Sequence, residues 1–239
     1  MLKLTCKGSL LSQMLKAVDA IINETILEVT YDGIHTRVVD TANVAMVDIS
    51  ISRKEFDSYS LDSEMTLGLP IRSLIPLCPS MEKEKCVDLE CDNSKLILKF
   101  ANYEYSLRML DVKALRKTPS KPYINCSTFF TIPTSSFSEI LKASKTIEKC
   151  DKVRFIVDGS TLQCLLDNDK DEKLKLTYEI QKTQAGNALY SLDYLKAFLG
   201  GIYGDEIEIK YSTDHPIFIS SKFGEHGSTI EYLLAHRLE

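Results

Sequence analysis

The chain has 239 residues and a formal net charge of −5, with 44% hydrophobic and 26% charged residues. This length accommodates one large domain or two smaller domains that each bury a core, and the composition excludes a disordered chain. No apolar run approaches the roughly 20 residues that cross a bilayer, and no signal peptide opens the chain. We therefore expect an intracellular protein without membrane contacts.

The cysteines and histidines give no indication of a metal site. The seven cysteines are scattered and form no CxxC pair, and none of the four histidines stands at metal-ligand spacing from a cysteine. We expect reduced, buried thiols and predict no metal and no cofactor.

The first predicted elements are a short strand, a helix and a β-branched run that ends at Asp32-Gly33. Over residues 8–18 the apolar side chains recur at helical spacing, and Asp-Gly between two extended runs indicates a hairpin. The same order of elements returns 126 positions later, where residues 130–159 align with residues 4–33 without a gap. The chain therefore contains an internal repeat.

A weaker repeat links the later segments. Residues 69–77 match residues 190–198, and alternating strands follow each segment. Between the repeats, two prolines and four basic residues interrupt the pattern. We predict an N-terminal domain over 1–110, a connecting linker over 111–127 and a C-terminal domain over 128–239.

Each predicted domain contains two β-α-β-β-β units. Since hairpins join most strands and each unit has one helix, the fold class is α+β, with helices on one face of curved antiparallel sheets. Residues 103–109 and 173–180 have the alternation of sheet edges. Edges at opposite ends of a two-domain chain predict head-to-tail pairing between copies, which closes a ring when the angle permits.

Residues 141–149 place Lys142, Lys145 and Lys149 three and four positions apart, on the polar side of a predicted helix. This pattern indicates either a solvated helix face or a surface for phosphate groups. The repeat favours the second interpretation, because matching helices also carry basic residues. These are Lys16, Arg72 and Lys196.

Other motifs are weaker. Residues 167–173 resemble a calcium loop without its glycine and terminal glutamate, so we predict a charged hairpin turn. Residues 199–204 follow a helix and are predicted to be its end and a loop. Asp40, Asp48 and Asp167 leave a metal-dependent nuclease as a remote alternative.

Taken together, several segments resemble the sliding DNA clamps of the proliferating cell nuclear antigen (PCNA) family, archaeal type, over essentially the full chain. The segments that carry the resemblance are GSLLSQMLKAV (8–18), TRVVDTANVAMVDISI (36–51), EFDSYSLD (55–62), LDVKALRK (110–117), DHPIFI (214–219) and EYLLAHRLE (231–239).

The resemblance implies a processivity factor and not an enzyme. Three subunits, identical or mixed with sister subunits, would form a ring of six similar domains around duplex DNA, and diffuse positive charge would let the ring slide. The DNA-facing residues that it implies are Lys16, Arg72, Lys142, Lys145, Lys149 and Lys196.

In this family, partners dock a short peptide with a glutamine and two aromatic residues into an apolar pocket under the linker. The matching positions are Val39, Asn43, Val44, Met46, Leu115, Pro216, Leu233, Ala235 and His236. The implied subunit contact sets Tyr103, Tyr105 and Leu107 against Lys175, Leu176 and Tyr178. The implied partners are a clamp loader of the replication factor C type, DNA polymerase, flap endonuclease and DNA ligase, in the cytoplasm and nucleoid if the cell is archaeal.

The chain departs from the family pattern in places. His236 replaces a common proline at the pocket rim, and Pro76 should kink or shorten the second helix. Several ring-lining positions are not basic, so we expect a less positive channel: Ser12, Gln13, Glu139 and Asp193. Membership of a heterotrimeric or checkpoint-type ring is the alternative function.

Overall fold

The computed structural model of the chain describes residues 1–92, 94–168 and 170–238. Its helices are α1 (Gly8–Asp19), α2 (Ile71–Leu74), α3 (Cys78–Met81), α4 (Thr134–Ala143) and α5 (Leu192–Leu199), with 3₁₀ turns at Arg53–Glu55, Ile75–Leu77 and Ser144–Thr146. Its strands are β1 (Leu2–Cys6), β2 (Glu24–Thr30), β3 (Gly33–Val39), β4 (Ala45–Ser52), β5 (Phe56–Leu61), β6 (Met65–Pro70), β7 (Val87–Cys91), β8 (Lys95–Phe100), β9 (Tyr103–Arg108), β10 (Thr128–Pro133), β11 (Lys152–Asp158), β12 (Thr161–Asp167), β13 (Lys173–Glu179), β14 (Gly186–Ser191), β15 (Glu206–Tyr211), β16 (Ile217–Phe223) and β17 (Ser228–Leu234).

The element order confirms the repeat and the α+β class. A strand, a helix and three further strands recur from β6, from β10 and from β14. The first unit differs, because the additional strand β5 follows the 3₁₀ turn Arg53–Glu55. The predicted hairpins form after β2 and after β11, and Gly159 takes the left-handed conformation with φ 62° that such a turn requires.

The chain forms two compact units. Unit 1 comprises Met1–Thr41, Val47–Pro119 and Lys222–Ile230, and unit 2 comprises Ala42–Met46, Ser120–Ser221 and Glu231–Glu239. The domain limits given above, 1–110 and 128–239, stay a prediction.

In unit 1, an antiparallel sheet has the order β5-β1-β7-β8-β9, and β2 pairs with both β3 and β6. The apolar face of α1 is buried through Met14, Leu15 and Val18. The first turn of α1 packs closely, since a Cβ on Gly8 would lie 1.8 Å from the carbonyl oxygen of Met81. This contact fixes α1 against α3.

Pro76 interrupts the second helix, as predicted. The helix is divided into α2, one 3₁₀ turn and α3, because proline cannot donate the hydrogen bond that continues a helix. The interruption also changes which side chains are buried. Leu77, which continues the apolar spacing of the sequence, is only half-buried, whereas Cys78 and Met81 are fully buried.

In unit 2, the sheet order is β13-β12-β11-β14, with antiparallel pairing throughout. Helices α4 and α5 contact each other. The predicted apolar stripe of α4 is buried, including Phe137, Ile140 and Leu141. Phe198 of α5 stacks on Tyr232 with 4.4 Å between ring centroids, which gives this core a firm aromatic contact.

The predicted end of α5 is confirmed, since the helix ends at Leu199 as the glycines begin. The predicted charged turn over 167–173 includes Asp169, which lies outside the described residues; β12 ends at Asp167 and β13 begins at Lys173. The prediction of buried thiols is right for four cysteines, namely Cys6, Cys78, Cys91 and Cys164. It is wrong for Cys86, which is exposed, and Cys126 and Cys150 are only half-buried. Over the described ranges, none of the helices combines the length and the apolar character that spanning a bilayer requires.

Candidate functional site

In unit 1, two basic residues of the predicted DNA-facing set lie on helices. Arg72 is exposed on α2. Lys16 lies in the last turn of α1, and its Nζ is 2.6 Å from Oε1 of Glu82. The same carboxylate oxygen accepts a hydrogen bond of 2.8 Å from the buried hydroxyl of Ser12. Lys16 therefore already has an anionic partner within its own subunit.

In unit 2, Lys142 and Lys196 lie in the last turns of the neighbouring helices α4 and α5. The prediction that one helix presents all three lysines of 141–149 is wrong. Helix α4 ends at Ala143, Lys145 follows in a 3₁₀ turn, and Lys149 has a left-handed backbone with φ 57°. Lys142, Lys145 and Lys149 are nevertheless all exposed, and none of them has a carboxylate within 4.0 Å in the described part of the chain.

The position of these basic residues repeats along the chain. Lys16, Arg72, Lys142 and Lys196 each lie in the last turn of their helix. A cation there is favourable because the carboxyl end of a helix has a partial negative charge. This supplies a structural reason for Lys16, Lys142 and Lys196 in addition to the predicted contact with phosphates. It does not apply to Arg72, because α2 has only four residues.

Two residues of the predicted partner pocket come together in unit 1. Val39 and Leu115 line a narrow cavity of about 20 Å³ beneath the linker. The linker is fixed there, since Thr118 Oγ1 donates to the carbonyl of Arg37 at 2.7 Å and Arg116 donates to the carbonyl of Asp40 at 3.2 Å. Because the cavity holds about one water molecule, a docking side chain would have to displace the linker here.

The other predicted pocket residues belong to unit 2. The backbone N–H of Ala235 donates to the carbonyl of Val44 at 2.8 Å, so the structure brings the C-terminal tail to the loop before β4. Asn43 in that loop is exposed and has φ 59°, a conformation that asparagine tolerates better than most residues. Several further side chains are half-buried, namely Pro216, Leu233 and His236, while Met46 is buried.

Sequence reasoning missed the residue that holds the tail. The backbone N–H of Arg237 donates to the carbonyl of Leu189 at 2.7 Å, and its guanidinium donates to Oδ2 of Asp151 at 2.9 Å and to the Asp151 carbonyl at 3.2 Å. The tail on both sides of His236 is therefore anchored within unit 2. No local pattern in the sequence indicates this contact, because the two residues are 86 positions apart.

Both predicted edge strands are edges. Strand β9 ends the sheet of unit 1 and β13 ends the four-stranded sheet of unit 2. On β9, Tyr103 is half-exposed and stacks on Phe100 with 4.8 Å between ring centroids, Tyr105 is half-buried, and Leu107 is already buried.

Strand β13 exposes more apolar surface than its neighbour. No residue of β13 is fully buried, whereas every second residue of β12 is. Lys175 is exposed and Leu176 is half-buried. Tyr178 Oη donates to Glu139 Oε2 at 3.0 Å, and burial together with this carboxylate raises the pKa of Tyr178. Strand β13 thus has a row of partly exposed apolar side chains that contact with another chain would bury.

The three carboxylates considered for a nuclease have other contacts. Asp48 lies 2.7 Å from Nε2 of His35 and 2.7 Å from Nη2 of Arg37, and Asp167 lies 3.5 Å from Nζ of Lys152. Asp40 is buried. Within the described residues, no three His, Cys, Asp or Glu side chains are grouped to hold a metal ion.

The cluster around Asp48 makes stability depend on pH. The hydrogen bond to Asp48 raises the pKa of His35 from 6.5, although burial opposes it. Burial alone would raise the pKa of Asp48, but His35 and Arg37 outweigh it and lower that pKa from 3.8. Glu28 lies on the other side of the imidazole, 3.2 Å from Nδ1.

We expect His35→Gln to remove a stabilisation that is greatest at mildly acidic pH. For His35 it is fully present below the ordinary pKa of 6.5 and is lost as pH rises through the raised value. The free energy of unfolding in urea should fall by about 1 kcal/mol at acidic pH, and the difference from the parent chain should shrink as the solution becomes alkaline. A difference that does not change with pH would contradict this origin.

The comparisons with known proteins agree with this architecture. Residues 1–114 match the family of the proliferating cell nuclear antigen N-terminal domain. A DNA polymerase sliding clamp of Methanocorpusculum labreanum is 34% identical, covering 100% of this chain and 99% of the relative, and one of Archaeoglobus fulgidus is 28% identical over the same shares.

Two solved structures show the same fold. A structure of A. fulgidus PCNA with the C-terminal region of FEN-1 bound has a TM-score of 0.92 at 27% identity, covering 100% of this chain and 99% of that chain. PCNA of Thermococcus kodakaraensis has a TM-score of 0.88 at 15% identity, covering 99% of this chain and 100% of that chain. The α+β architecture described above is therefore that of the PCNA-type clamps. The chain belongs to the DNA polymerase sliding clamp family.

Proposed function

We propose that this protein is a DNA sliding clamp that encircles duplex DNA as a trimeric ring and tethers a replicative polymerase to its template. The observation that carries the proposal is the full-length similarity to DNA polymerase sliding clamps at 34% identity. The protein itself catalyses no reaction. It raises the effective concentration of an enzyme at the primer end, and in an archaeal cell it acts in the cytoplasm, on the nucleoid.

Exposed positive charge supports the contact with DNA. Lys142, Lys145 and Lys149 are exposed on unit 2, and Arg72 is exposed on unit 1. Lysine and arginine side chains that meet phosphates without reading bases give binding that is independent of sequence and weakened by salt. A ring with such contacts is held on the duplex and still slides.

Two free sheet edges support the ring. Head-to-tail pairing of β9 with β13 of the next copy joins unlike surfaces, and a contact of this kind closes when the rotation permits. We propose Tyr103, Tyr105 and Leu107 on one subunit, and Lys175, Leu176 and Tyr178 on the next, as the core of this contact. The predicted domain limits, with a linker over 111–127, belong to the same proposal.

The partner pocket supports the recruiting role. The A. fulgidus PCNA structure contains the C-terminal region of FEN-1, and we propose that flap endonuclease, DNA polymerase and DNA ligase dock comparable peptides here. We propose that a clamp loader of the replication factor C type opens the ring. The half-buried apolar side chains of Val44, Pro216 and Leu233 suit the aromatic residues of such peptides.

The test combines assembly and activity. The monomer has a mass of 27.0 kDa, so light scattering over a dilution series should give a trimer of about 81 kDa. With a clamp loader and a replicative DNA polymerase from a related organism, the chain should lengthen the products on primed circular DNA. A stable trimer without stimulation would contradict the replicative role. A monomer would favour a mixed ring that needs sister subunits.

We expect Arg237→Gln to weaken peptide binding several-fold. Without the guanidinium, the tail that carries Ala235 and His236 loses its anchor on Asp151 and must be ordered again when a peptide binds. Fluorescence anisotropy with the C-terminal peptide of a flap endonuclease measures the dissociation constant. Arg154→Gln is the control, because it removes another guanidinium of unit 2, one that donates to Oδ1 of Asn187 at 3.1 Å. Equal weakening in both variants would refute the role of Arg237.

A further inference from the structure

We infer that Glu82 limits the strength of DNA contact by neutralising Lys16, so that the two units of one subunit contribute unequally to DNA binding. The inference rests on the proposed function, because it concerns the DNA-facing surface. Helices fix the backbone of both residues of the Lys16–Glu82 ion pair. Glu82 follows α3 directly, with its backbone N–H donating to the carbonyl of Cys78 at 2.9 Å, and Lys16 is part of α1.

The geometry distinguishes this pair from a fully exposed surface ion pair. Both side chains are 32% exposed, and Nζ of Lys16 is 2.6 Å from Oε1 of Glu82. The hydroxyl of Ser12, which is fully buried, donates to the same oxygen at 2.8 Å. This second donor holds the carboxylate where it meets the lysine. A charged pair that is partly removed from water is less weakened by solvent and salt than an exposed one.

The internal repeat provides a natural comparison. Lys16 corresponds to Lys142, which is exposed and has no carboxylate within 4.0 Å among the described residues. The offset of the weaker repeat is 121 residues at the second helix and 120 at the next strand, where Leu89 pairs with Leu4 as Ile209 pairs with Phe130. Glu82 therefore corresponds to Tyr203 or Ile202, and neither is charged. The acidic partner is thus present in the first copy, and an uncharged residue takes its place in the second.

The consequence for DNA follows from counterion release. A lysine that contacts phosphate contributes to the salt dependence of binding because ions leave the duplex when it arrives. Lys16 must first leave Glu82, or carry the carboxylate with it toward the phosphates. Its net contribution to affinity is therefore small. Glu82 keeps the ring loosely associated with the duplex on this side.

Glu82→Gln tests the inference with little change in shape. Glutamine retains an oxygen that accepts from Ser12 but has no charge. The assembled protein should bind a short labelled duplex several-fold more tightly at low salt. The plot of log affinity against log salt should also steepen, by up to about 0.9 for each lysine that newly contacts a phosphate. Adding Lys16→Gln to Glu82→Gln should abolish both gains.

The matched control is Glu64→Gln, which removes one negative charge from an exposed position of unit 1. Equal gains in Glu82→Gln and Glu64→Gln would overturn the inference, since the effect would then reflect net charge alone. A separate readout needs no DNA: the rate of Lys16 acetylation, followed by mass spectrometry, should rise in Glu82→Gln and not in Glu64→Gln. An unchanged rate would also overturn the inference.

Failure of the proposed function gives a different result. A ring with Lys142→Glu and Lys145→Glu that binds the duplex as the parent does would show that the basic surface does not face DNA, and the inference would fall with it. Impaired binding in that ring, together with no difference between Glu82→Gln and Glu64→Gln, would overturn only the role of Glu82.

Discussion

Changing Lys142 and Lys145 to glutamate is expected to lower the affinity of the assembled ring for duplex DNA by at least about 100-fold at low salt, because six cations per trimer become six anions. Both side chains are exposed, one on α4 and one in the 3₁₀ turn that follows. The fold should be unaffected, since neither residue belongs to the buried stripe of Phe137, Ile140 and Leu141.

The measurement has two parts. Light scattering should show that the double variant still assembles, and anisotropy with a labelled duplex should show the loss of affinity, with a matching failure of loading onto circular DNA. The control is Lys95→Glu with Lys182→Glu, which makes the same change of charge at two other exposed positions. Normal loading of the first variant, or an equal loss in the control, would contradict the assignment of this surface.

The internal repeat made much of the fold predictable from sequence. Residues of α1 and α4 that match across the repeat have the same helical spacing, and buried side chains such as Leu15 and Leu141 lie where this spacing puts them. Pro76 predicted the interruption of the second helix for a covalent reason. The additional strand β5 was outside the predicted unit, because its alternation is weak and only Phe56, Tyr59 and Leu61 are even half-buried.

The candidate sites were predictable only where the family resemblance supplied them. Lysine spacing alone placed Lys149 on the helix, but the helix ends before this residue. The spacing does not show that Lys149 has a left-handed backbone conformation. The two ion pairs that affect the proposed sites each join residues far apart in the sequence. Lys16 and Glu82 are 66 positions apart, and Arg237 and Asp151 are 86 apart. Such contacts follow from tertiary packing and leave no local pattern in the sequence.

Replacing Leu176 with aspartate is expected to convert the ring to monomers. Leu176 is half-buried on β13, in the row with Leu174 and Tyr178, and pairing with β9 of the next copy would cover this row. A carboxylate enclosed there without a partner costs several kcal/mol at each contact, and a trimer has three contacts. Because Leu176 is only partly covered within the subunit, the isolated fold should lose much less stability.

Light scattering should therefore give a mass near the 27.0 kDa of one chain, while circular dichroism remains that of the parent protein. Ser63→Asp is the control, because Ser63 is exposed at a position outside β9 and β13, and it should leave the trimer intact. The monomeric variant should still bind the flap endonuclease peptide, since Val44 and Ala235, which we propose for the pocket, contact each other within one chain. A trimer that persists in Leu176→Asp would mean that subunits join elsewhere, and β13 would then be an edge without a partner.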